Sequence, residues 1–72
     1  MSTSQRSFTS ADILRAAASI IEHHGQDAAV VTAEQADKLL GEGDKEGATV
    51  LWTIIDAIEE LLRRRSTEEH LN

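Results

Sequence analysis

Seventy-two residues with 40% hydrophobic content, no Pro and no Cys make one small domain, too short for its core to stand far above its ordering entropy. Thirteen Asp and Glu against seven Lys and Arg give a net charge of −6, which repels phosphate backbones and disfavours nucleic acid as a partner. No cysteine is present to form a disulfide or thiolate metal site, no apolar run approaches the roughly 20 residues of a membrane span, and no basic-then-apolar leader opens the chain, so a cytoplasmic location without membrane contact is expected.

Residues 1–8 are polar up to Phe8 and carry no hydrophobic period, which predicts a disordered tail. Its Ser/Thr content with Arg6 faintly suggests a transit peptide, but one Arg is too few. The first helix is predicted from Ser10 to His24. Thr9 is its N-cap, Asp12 occupies the third helical position, and Phe8 and Ile13 sit at the two positions of a hydrophobic staple. Ile13, Ala16, Ala17, Ile20, Ile21 and His24 recur at helical spacing, and Gly25 supplies the stop.

A second helix is predicted over 27–40, with Ala29, Ala33, Ala36, Leu39 and Leu40 on one stripe and Asp27 as a possible cap. Thr32 with Gln35 also forms a capping-box pattern, so a shorter helix from about Ala33 is the alternative. Gly41, Gly43 and Gly47 then fall close together around Asp44, a helix stop followed at once by a helix start. That pattern predicts a hairpin. The third helix follows Asp44 and is expected to reach about Arg65, its negative end complemented by Arg63, Arg64 and Arg65, with residues 66–72 as a frayed tail. The fold class is therefore all-α, a three-helix domain over residues 9–65. Ten of the hydrophobic residues are Ala, so its core should be thin.

His24-Gly25, Ala28, Ala36-Asp37, Leu39-Leu40, the run from Gly43 to Gly47, Trp52 and Ile55 together resemble a group of short alphaproteobacterial helical proteins, a domain of unknown function. The resemblance spans His24 to Leu62 and implies a bacterial source and a helical fold, with no functional residue to carry over. The Gly43 to Ala48 corner is also similar to the inter-helix turn of tetratricopeptide repeats. A solenoid needs about three stacked units, which this length does not supply.

Catalytic and ligand chemistry finds little support. Gly41, Gly43 and Gly47 are spaced one residue too widely for a dinucleotide fingerprint, no strand precedes them, and Glu42, Asp44 and Glu46 oppose a bound phosphate. His23 and His24 are adjacent, so they diverge by about 100 degrees on a helix and do not share a metal-binding face. His24 is expected instead to meet the last carbonyls of the first helix. The acids around Asp44 lack the alternating oxygen ligands of a calcium loop. Glu22, Asp56 and Glu59 belong on solvated helix faces, and no Ser or Thr has a base within a recognisable motif. The chain is expected to be no enzyme and to take no cofactor, metal or small-molecule substrate.

The third helix carries a broad apolar face of Val50, Leu51, Ile54, Ile55, Ile58, Leu61 and Leu62. Trp52 stands at its edge, either sealing the hairpin over the Ala-rich second helix or anchoring a partner. The expected function is a small non-enzymatic protein-interaction or regulatory module, most simply a homodimer, with Val50, Leu51, Trp52, Ile54, Ile58 and Leu61 as interface residues. The alternative is an acidic inhibitor or antitoxin-like protein that uses the excess of acids between Glu42 and Glu60 to occlude a basic surface.

Overall fold

The computed structural model describes the backbone of residues 9–71 and the side chains of residues 9–65. The expected tail of residues 1–8, and with it the Phe8 half of the staple, lies outside the described residues. The chain is all-α: α1 (Ser10–His24), a single 3-10 turn over Gly25–Asp27, α2 (Ala28–Gly41) and α3 (Lys45–Leu71), with no strand among the described residues.

Local chemistry sets the boundaries. Thr9 caps α1 through a reciprocal box in which its hydroxyl accepts the Asp12 amide at 3.1 Å and the Asp12 carboxylate accepts the Thr9 amide at 3.2 Å. Two of the amides left orphaned at a helix start are thereby satisfied. At the other end Gly25 has φ 58 and ψ −130 and donates its amide to the Ile21 carbonyl. That backbone angle is one that Gly alone reaches without strain.

The longer of the two second-helix readings matches α2, which starts at Ala28. Asp27 occupies the N-cap position without a side-chain cap bond. The preceding 3-10 turn does part of that work, because the Ala28 amide donates to the Gly25 carbonyl. Thr32 lies inside the helix, so it caps nothing. α2 ends in a Schellman motif, with Gly43 at φ 87, the Asp44 amide on the Leu39 carbonyl at 2.8 Å and the Gly43 amide on the Leu40 carbonyl at 3.0 Å. Gly43 is therefore the stop, and Gly41 is the last helical residue. Asp44 next caps α3, its carboxylate accepting the Gly47 amide at 2.9 Å. α3 continues past Arg65 to Leu71, since no Gly or Pro follows to end it.

α3 is the common partner of the other two helices, which touch each other much less. Ala17 and Ile21 of α1, Ala28 of α2, and Ile54 and Ile58 of α3 form the central cluster, flanked by half-buried residues such as Ile13, Ile20, Val50, Leu51 and Leu61. Thr32 and Ala36 of α2 and Ala48 and Ile55 of α3 are buried as well. Among the described residues five of the nine that are buried are Ala or Thr, and Ile58 is the largest fully buried side chain. Burying it contributes about 1.5–3 kcal/mol. Small residues let the helices approach closely at the cost of buried area, which makes the core as thin as the composition implies. The shortest Cα extent is 16 Å, room for two packed helix layers at the usual 8–10 Å spacing. One face of α3 is left uncovered.

Candidate interaction surface

The six residues expected at an interface divide by their position on α3. Ile54 and Ile58 are buried in the chain's own core at 7% and 0% exposure. Val50, Leu51 and Leu61 are half-buried against that core. Trp52 alone is exposed, at 45%. A wheel explains the split, because the arc from Val50 through Ile58 to Ile55 turns toward α1 and α2 while Trp52 lies just past Ile55 and Ala48. Ile54 and Ile58 are thus unavailable to a partner of the folded chain, since α1 and α2 already use them.

Among the described residues three further large apolar side chains are exposed, Leu14 on α1 and Val30 and Leu40 on α2. Leu40 belongs to the expected α2 stripe of Ala29, Ala33, Ala36, Leu39 and Leu40, but of that stripe only Ala36 is buried, because the row that faces α3 runs at four-residue spacing through small side chains.

 The buried row of α2 is Ala28, Thr32 and Ala36. Thr32 was not legible as core, and its polar atom is no burden there, because the hydroxyl donates to the Ala28 carbonyl at 2.8 Å within the same helix. No buried side-chain polar atom lacks a partner among the described residues.

The outward side of α3 is polar around Trp52. Lys45, Thr49, Asp56, Glu59 and Arg63 are exposed, and they flank Trp52 in an alternating four- and three-residue spacing that keeps all six on one stripe. The Thr49 hydroxyl donates to the Lys45 carbonyl at 2.9 Å and the Thr53 hydroxyl to the Thr49 carbonyl at 3.1 Å. Both hydroxyls are thus turned back onto their own helix. Glu60 pairs with Arg63 at 2.7 Å and with Arg64 at 3.4 Å, exposed i,i+3 and i,i+4 pairs worth a few tenths of a kcal/mol, roughly 0.3–0.5 each. A depression of about 380 Å³ beside the stripe is lined by Lys45, Glu46, Thr49 and Val50. A second, of about 310 Å³, lies between α1 and α3 against Ala18, Ile21, Leu61, Arg64 and Arg65.

At the end of α1 it is His23, not His24, that meets a helix carbonyl: its Nδ1–H donates to the Ser19 oxygen at 2.8 Å. The reason is backbone geometry, since His24 has already left helical angles, at φ −122 and ψ −7, where the chain enters the 3-10 turn. The two rings are 6.5 Å apart and tilted by 49°. Among the described residues no group of three or more His, Asp or Glu is gathered as a metal-ligand set, and no helix is long and apolar enough to cross a membrane.

Comparison with protein-family models, with curated proteins and with solved structures returns no match to this chain.

Proposed function

We propose that the chain is a three-helix domain with an α2/α3 hairpin that serves as a small non-enzymatic, cytoplasmic interaction or regulatory module and forms a homodimer. The observation that supports this reading is the exposure of Trp52, at 45%, on a chain whose core is built mostly of small residues. An indole held on the surface of a rigid helix is the kind of anchor that dominates binding energy between proteins. Val50, Leu51 and Leu61 lie half-buried on the core-facing arc of the same helix and would contribute only through the edges they leave accessible.

Sedimentation equilibrium over micromolar concentrations, joined with capture of partners by the tagged full chain and by its Trp52→Ala variant, tests the reading. A dimer, or a partner retained by the wild type and lost by the variant, supports it. A monomer whose captured set is unchanged by Trp52→Ala overturns it.

The acidic inhibitor reading is favoured by a different observation, the exposure of Glu42, Asp44, Glu46, Asp56 and Glu59 along the corner and α3. Binding to a basic surface through these acids would weaken steeply with salt and tolerate Trp52→Ala, whereas apolar association would do the reverse.

A further inference from the structure

We infer that the occupant of the uncovered face of α3 is the same face of a second copy, packed antiparallel about a two-fold axis at Trp52. This rests on the interaction reading above and deepens it by fixing the partner and the register.

Three observations carry the inference. Lys45 and Glu59 are each seven residues from Trp52, on opposite sides of it and on the same stripe, and all three are exposed. In an antiparallel pair with its axis at Trp52, a residue a given number of positions before Trp52 faces the residue the same number after it on the other copy. Lys45 of each chain then meets Glu59 of the other, about 10 Å along the axis from the indoles, and the two indoles meet each other. A parallel pair would set Lys45 against Lys45 and Glu59 against Glu59. The charge order along α3 therefore selects the antiparallel direction, and an axis at Trp52 is the register that pairs Lys45 with Glu59 and the two indoles together.

The second observation is the state of the threonines. Thr49 and Thr53 have already bonded their hydroxyls to backbone carbonyls of α3, so their methyl groups can be covered without stranding a donor. Third, among the described residues the ion pairs of α3 use Glu60 with Arg63 and Arg64, and Glu59 takes no part in them. Self-complementarity of this kind closes at two copies, since an isologous contact consumes the same patch on both.

The test is charge reversal with rescue on the full chain, read by sedimentation equilibrium at low salt. Wild type is expected to move with concentration from 7.9 kDa toward twice that mass. Lys45→Glu and Glu59→Lys should each raise the dissociation constant about tenfold, because each turns two attractive cross pairs per dimer into repulsive ones. The combined Lys45→Glu, Glu59→Lys chain should return to within about threefold of wild type, since the pairs re-form with their signs exchanged. Both positions are exposed, so helical circular dichroism should be unchanged in all three variants. Trp52 emission provides a second readout, shifting to shorter wavelength as the dimer forms.

A dimer that ignores the single reversals, or singles that are not rescued by the double, overturns the register while leaving the interaction reading intact. A chain that stays monomeric at every concentration overturns the inference, and the interaction reading then stands or falls on partner capture.

Discussion

The carboxylate of Asp44 occupies the space that a side chain at position 47 would take. A Cβ on Gly47 would lie 2.6 Å from Asp44 Oδ2 and 2.9 Å from its Cγ, while the carboxylate accepts the Gly47 amide at 2.9 Å. The three nearest atoms all belong to the cap and none to another helix. Gly47 and Asp44 form one device for starting α3.

A double-mutant cycle on that pair gives the first prediction. Asp44→Ala in the wild-type background should cost about 0.5–2 kcal/mol through loss of the cap. Gly47→Ala gains helix propensity of up to about 1 kcal/mol but displaces the carboxylate, so its net effect should be small. With the cap already disturbed, Asp44→Ala should cost less in the Gly47→Ala background than alone. Urea unfolding of the four proteins gives the coupling directly. Strictly additive effects would mean that the carboxylate finds an equally good bond beside a Cβ.

Gly25 and Gly41 test backbone angle apart from space. A Cβ at either position meets nothing within 4 Å, but only Gly25 has a positive φ. Gly25→Ala should therefore destabilise by about 1–3 kcal/mol, and Asn should rescue little, since ψ −130 lies far from the left-handed helical region that Asn tolerates. Gly41→Ala, at the last residue of α2, should be neutral or stabilising by up to about 1 kcal/mol. Thermal melts rank the two. Equal melting points for both variants would show that the α1 end relaxes to an ordinary backbone angle.

Much of the helical layout could be read from residues whose effects are local. Thr9, Asp12, Gly25, Gly43 and Asp44 act through bonds to neighbours a few positions away, and such bonds are written in the order of the chain. The end of α3 was less legible because nothing punctuates it, so the pattern of apolar residues faded near Arg65 before the helix did. The interface candidates were least legible for a longer-range reason. A helical period marks Ile54 and Ile58 as apolar but does not say whether α1, α2 or another molecule covers them, and here α1 and α2 do. Ile54→Glu would consequently put a carboxylate into the core and unfold the chain, which makes it a poor probe of association. Trp52, just off that arc, was marked by its size alone.

Thr32 separates the value of a buried hydroxyl from that of a buried methyl. Thr32→Val keeps the shape and removes a hydroxyl whose bond to Ala28 is local, so stability should stay within about 1 kcal/mol of wild type. Thr32→Ser keeps the hydroxyl and removes a methyl group at a 3% exposed site, with an expected cost of about 1 kcal/mol. Val should thus be tolerated better than Ser. The opposite order in urea unfolding would assign the hydroxyl a role beyond its own helix.

Ile58 and Trp52 provide the sharpest contrast on α3, because side-chain size and burial point in opposite directions. Ile58 is fully buried in the cluster that joins the helices, and truncation to Ala should cost about 2–5 kcal/mol, the lost transfer energy together with the cavity left behind. Trp52 has more atoms to lose, but it is 45% exposed and lies off the buried arc, so much of its area is in water already. Trp52→Ala should cost less than Ile58→Ala when both are measured as monomers in dilute solution. In a domain this small, a loss at the upper end of the Ile58 range removes most of the folding free energy. Equilibrium urea unfolding followed by circular dichroism, at concentrations low enough to keep any dimer dissociated, gives the order. A greater loss from Trp52→Ala would mean that the indole closes the core between α2 and α3, and the surface of α3 would then have no aromatic anchor to offer.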